Sequence, residues 1–91
     1  MYSLEFTNQY LKDLKLARKR KLDENKLNEI IRILISGKSL PSKYKNHMLT
    51  GQFKNLFECH INPDWLLIYS RNKTLKLIKL IRTGTHSDLF L

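Results

Sequence analysis

Asn62-Pro63-Asp64 is the tightest local constraint in the chain. Proline fixes its own φ and has no N–H to give to a ladder, while Asn and Asp beside it favour a turn. On either side the residues suit strands: Leu56 to Ile61 alternate before the turn, and Trp65-Leu66-Leu67-Ile68-Tyr69 run apolar after it. Strands are therefore predicted over about 54–61 and 65–71, with a third over 74–83 beyond a second turn at Asn72-Lys73. Joined so closely, the three make an antiparallel meander.

The first half of the chain has a different period. Tyr2 to Phe6 alternates, placing Tyr2, Leu4 and Phe6 on one face of a short strand. Thr7 or Asn8 can cap a helix carrying Tyr10, Leu11, Leu14 and Ala17 at helical spacing, closed by Arg18-Lys19-Arg20-Lys21, where cations suit the negative end of the helix dipole. Asp23 caps a second helix, whose stripe of Leu27, Ile30, Ile31, Leu34 and Ile35 ends at Gly37. The segment from Ser39 to Gly51 has no sustained period and is predicted as a loop containing His47. A tail from Gly84 to Leu91 carries His86 and ends apolar.

These elements make an α+β fold: a strand, two antiparallel helices, then the meander, with the helices on one sheet face and the other face open. With 91 residues, one domain over 1–91 is expected, because a chain this short buries only about 60 to 65% of its unfolded surface. The 17 Lys and Arg against 8 Asp and Glu leave a charge of +9. Both halves share the excess, so the folded body is basic and suits a nucleic acid or an acidic protein. No segment reaches the roughly 20 apolar residues of a membrane span, and no signal-peptide core opens the chain. A single cysteine, Cys59, allows no internal disulfide and fits a reducing cytoplasm.

Alternation puts Phe57, Cys59 and Ile61 on one face of the first meander strand and Leu56, Glu58 and His60 on the other. Cys59 is read as core, and Glu58 does not stand out. His60 lies next to Asp64 and Trp65 at the turn, and His47 and His86 flank it in the chain. Three imidazoles and a carboxylate on a basic protein suit metal-free RNA cleavage. In that chemistry the 2′-hydroxyl is the nucleophile, one group removes its proton, and another protonates the leaving 5′-oxygen. Asp64 could hold an imidazole protonated or act as base, cations would stabilise the phosphorane, and Trp65 or Phe90 could stack on a base. A rival reading gives the histidines and Asp64 to zinc. No paired spacing such as His-x-x-x-His supports it, and no cofactor is expected.

Lys43 to Gly51, Glu58 to Tyr69 and Arg82 to Phe90, with Gln9 to Arg20 ahead of them, closely resemble the signature segments of YafQ-type toxins in the RelE/ParE superfamily. The resemblance implies a RelE-like fold and a type II toxin, an endoribonuclease that cuts translated mRNA in the ribosomal A site and is neutralised by a cognate antitoxin. Carried over by position, His47, His60, Asp64 and His86 are its acid/base and phosphate-contacting residues, and Trp65 and Phe90 its RNA-contacting aromatics. His86 is favoured as acid, Asp64 or His47 as base, and His60 on the phosphate. The family often carries Arg where this chain has Phe57, so Arg82 and lysines such as Lys54 would supply the missing charge. ParE-like relatives, which bind a topoisomerase without cleaving RNA, supply the alternative.

Overall fold

The structure, a computed structural model, describes residues 1–90; Leu91, the end of the expected apolar tail, lies outside it. In chain order the elements are β1 (Ser3–Phe6), α1 (Asn8–Lys19), α2 (Glu24–Ser36), β2 (His47–Met48), β3 (Phe57–Asn62), β4 (Trp65–Asn72), β5 (Leu77–Gly84) and α3 (His86–Phe90). One mixed sheet runs in the order β1-β5-β4-β3-β2. The expected meander is its centre. β1 joins β5 in parallel, with Ser3 opposite Leu77 and Phe6 opposite Leu80, so α1 and α2 lie in the crossover that parallel pairing requires.

Two stretches expected to be irregular have structure of their own. The segment read as a loop contains a 3₁₀ turn at Ser42–Tyr44, then β2, then a second 3₁₀ turn at Gly51–Phe53. A two-residue strand has no period to read; β2 exists because β3 offers it an edge, pairing His47 with Glu58. The tail folds into α3. Strand starts also move, from 54 to Phe57 and from 74 to Leu77. Asn55 and Lys76 have positive φ, which breaks the extended chain just ahead of each strand.

β4 is buried on both faces, which explains its unbroken apolar run. Trp65, Leu67 and Tyr69 point to the helices, where they meet Tyr10, Ala17, Leu27, Ile30 and Leu34 together with Cys59, Ile61, Ile78 and Leu80. Leu66 and Ile68 point the other way and pack with Leu89 of α3, flanked by Leu49, Leu56 and Ile81. The face expected to be open is thus partly covered by a second apolar cluster, because α3 and the 49–56 segment fold over it. In the β3–β4 hairpin the register gains a residue between His60, opposite Leu66, and Asn62, opposite Trp65. Such a bulge increases local twist and turns the strand end.

Thr7 caps α1 by accepting from the Tyr10 N–H at 2.9 Å, and Asp23 caps α2 by accepting from the Asn25 N–H at 3.0 Å. Gly37 ends α2 at φ 82°, with the Tyr2 ring 3.3 Å from where a Cβ would stand. Phe6 and Leu11, expected on apolar faces, are exposed. Of the basic run at the end of α1, Arg18 pairs with Glu24 and Arg20 with Asp88.

Candidate active site

Residues two apart on a strand share a face, so β3 presents Glu58 and His60 together. The Glu58 side chain is only 5% exposed, and its Oε1 lies 3.6 Å from His60 Nε2 and 3.5 Å from His47 Nε2. His47 reaches that carboxylate through the β2–β3 pairing. The approach is fixed at Asn46, whose side-chain oxygen accepts from the Tyr69 hydroxyl at 2.6 Å. Burial pushes the Tyr69 phenol up to about 12, so it stays a donor. His47 Nδ1 lies 3.0 Å from the Lys45 carbonyl, which can only accept. Both nitrogens of that ring therefore face acceptors.

His86 arrives from the other end of the chain. Thr85 and Asp88 form a reciprocal cap around it: the Thr85 N–H donates to Asp88 Oδ2 at 2.9 Å, and the Asp88 N–H donates to Thr85 Oγ1 at 3.1 Å. Arg20 binds the same carboxylate with two donors, at 2.7 and 3.3 Å, tying α3 to the end of α1. The Arg20 guanidinium and the Thr85 N–H together hold the Asp88 carboxyl well below the usual carboxylate range. Gly84 is required by this closure, since a Cβ there would stand 2.9 Å from Asp88.

So held, His86 is 58% exposed and faces Asp64 of the β3–β4 turn, itself 73% exposed. The His86 N–H points at Asp64 Oδ1 from 3.5 Å, and its ring Nδ1 lies 3.9 Å from the same oxygen. The His60 and His86 rings are 6.2 Å apart, and Phe90, one turn along α3, lies 5.7 Å from His86 and edge-on to Phe53 at 5.5 Å. Four predicted residues, His47, His60, Asp64 and His86, thus meet at one end of the sheet with the half-exposed Phe90 beside them. The two carboxylates divide the imidazoles, Glu58 facing His47 and His60 while Asp64 faces His86. Among the described residues no three His, Cys, Asp or Glu side chains are grouped to hold a metal ion.

Two of the expected RNA contacts stand apart from this cluster. Trp65 is 2% exposed and packs beneath the helices, on the sheet face away from His60, so its ring offers no face to a base. Arg82 is engaged by Asp13 of α1, donating from Nε at 2.8 Å and from Nη2 at 3.1 Å, while the Thr83 N–H joins the same carboxylate. Its charge is spent on joining helix to sheet. Lys54 is exposed at the end of the Gly51–Phe53 turn. Phe57 stacks on Tyr69 at 5.5 Å on the helix-facing side, so a cation in its place would point away from Glu58 and His60. Glu58 is the residue sequence reasoning passed over, although its spacing from His60 was the available signal.

Among the described residues no helix is long and apolar enough to cross a membrane. Residues 2–91 match the family described as the bacterial toxin of the type II toxin-antitoxin system, YafQ. The chain is 47% identical over 88 residues to the mRNA interferase toxin YafQ of Escherichia coli K12, covering 96% of this chain and 94% of that one. The crystal structure of YafQ from E. coli BL21(DE3) superposes with a TM-score of 0.93 at 40% identity, covering 100% of both chains. That of the E. coli DinJ-YafQ complex gives 0.91 at 41%, again over 100% of both. Segments, sheet order and superposition agree, and the chain belongs to the YafQ family of bacterial type II toxin-antitoxin toxins.

Proposed function

We propose that this chain is an endoribonuclease, the toxin of a type II pair, that cuts translated mRNA on the ribosome in the cytoplasm and is held inactive by a cognate antitoxin. The observation that carries the reading is the buried Glu58 carboxylate set against His60, with His86 across a 6.2 Å gap. Metal-free RNA cleavage needs two proton-transfer groups on opposite sides of one phosphate. Two imidazoles, each with its own carboxylate, supply them.

In this scheme the 2′-oxygen attacks phosphorus and the bond from phosphorus to the 5′-oxygen breaks. In place of Asp64 or His47, the bases expected above, His60, oriented by Glu58, takes the 2′-hydroxyl proton. His86 gives a proton to the departing 5′-oxygen, leaving a 2′,3′-cyclic phosphate and a 5′-hydroxyl. Asp64 sits at His86 Nδ1, which leaves Nε2 to meet the substrate. His47 has acceptors at both nitrogens, which leaves neither directed at the substrate as a base. The Phe90 ring is placed to stack on a neighbouring base, a contact worth about 1 to 3 kcal/mol.

A purified translation extract programmed with a defined message tests this. Wild-type protein should produce new ends within the reading frame that carry a 5′-hydroxyl, with or without EDTA at levels that leave ribosomes intact. His86→Ala should produce none. Growth arrest that persists unchanged in both His86→Ala and Asp64→Ala would instead support a toxin that acts by binding a protein target.

A further inference from the structure

Beside His60, the edge of β3 forms a cavity of about 380 Å³ with α2 and the 43–45 segment, and His86 is not among its lining residues. We propose that this cavity is a subsite for the nucleotide adjoining the scissile phosphate, holding its phosphodiester on lysines and its nucleoside within. The inference rests on the endoribonuclease reading and adds where the substrate strand runs.

Three ammonium groups line the cavity, Lys26, Lys43 and Lys45, against a single carboxylate, Glu29, so it is cationic where a polyanion would leave the catalytic groups. Its size falls within the ~300–1,000 Å³ typical of small-ligand pockets. The cations come from separate elements. Lys26 projects from α2 and donates to the Asn62 side-chain oxygen at 3.0 Å, which sets it over the end of β3. Lys45 is held in the left-handed region at φ 50°, where its N–H closes the 3₁₀ turn on Ser42, and Lys43 lies over the Tyr44 ring at 5.1 Å. Glu29 is the acceptor on the cavity wall and suits a base with an exocyclic amino group. His60 belongs to both the cavity and the catalytic cluster, so one strand could occupy both without a break.

The test uses a 2′-O-methyl oligonucleotide, which lacks the nucleophile and cannot be cut, so binding is read whether or not the protein is a nuclease. Fluorescence anisotropy should show K26Q/K43Q/K45Q binding roughly tenfold more weakly than wild type, with the slope of log Kd against log salt reduced by about 0.7 for each phosphate that is no longer neutralised. Amide shifts in wild-type protein titrated with a 2′-O-methyl dinucleotide should include Lys43 to Lys45 and Asn62. Glu29→Gln, which keeps the charge pattern of the lysines, should change the preference among bases more than the salt slope. Equal affinity and slope in the triple variant, with its fold confirmed by circular dichroism, would overturn the proposal. So would shifts confined to His86 and Phe90.

Discussion

The two carboxylate–imidazole sets differ in almost everything except their chemistry. Glu58 and His60 stand two residues apart on a central strand, with side chains 5% and 20% exposed. Asp64 and His86 come from a turn and a five-residue helix, at 73% and 58%. A buried carboxylate gains its orientation from packing and loses little of its interaction to solvent screening, whereas an exposed pair at 3.9 Å is screened by solvent and salt. One set is built as a fixed reference. The other is delivered by a small element held in place by a few polar contacts.

This contrast predicts unequal losses. The largest should follow His86→Ala, which removes the proposed proton donor; a positioned acid or base contributes about 10²–10⁴-fold, and cleavage of a reporter message should fall by that order while thermal stability stays unchanged. Glu58→Gln keeps the shape but removes the buried carboxylate. Its effect should be on the order of 10²-fold, since a positioned base contributes about 10²–10⁴-fold and His60 would lose the carboxylate that orients it. Asp64→Asn should cost no more than about fivefold, because an exposed pair is worth at most ~1 kcal/mol. Equal losses at Glu58 and Asp64 would erase the distinction.

The tether of α3 gives a smaller, pH-resolved effect. Arg20 holds the folded Asp88 carboxyl below its unfolded value of about 3.9, so its contribution is fully present above that value and is lost as pH falls below it. Acid unfolding of Asp88→Asn should therefore lack part of the slope below about pH 4 that wild type shows. At neutral pH the same variant should loosen α3 and slow cleavage with little change at the β3 carboxylate, visible as faster amide exchange confined to residues 85–90. The smallest effect on cleavage should come from Trp65→Phe. The indole N–H is buried without an acceptor among the described residues, so the change removes no hydrogen bond and should cost about 1–3 kcal/mol of stability, with RNA binding unaffected.

The same division governs what the sequence could say. Alternation along β3 and the break at Pro63 are local signals, and the strand faces, the hairpin and the closeness of His60 to Asp64 could be read from them, whereas His47 and His86 joined the set only through the resemblance of their segments to the YafQ family. Glu58 shares its face with His60 by the same rule, yet it passes for a solvated strand residue until Leu49, Leu56 and Leu89 are seen packed over that side of the sheet. Arg82 and Trp65 could not be placed locally at all. Asp13, which engages Arg82, is far away in the chain, and both faces of β4 are apolar, so nothing in its own pattern says which one the helices cover. β2 and α3 are too short to carry a period; pairing with β3 makes one and the Thr85–Asp88 cap makes the other.

The most direct measurement is a double-mutant cycle in the cleavage rate of a reporter message in a purified translation extract, using wild type, Glu58→Gln, His86→Ala and the double variant. Groups that serve one reaction as a unit are strongly non-additive. If the rigid and the delivered sets form one site, each single variant loses most of the rate and the double variant is no slower than the slower single. Wild-type rates in either single variant, or losses that simply multiply, would contradict it.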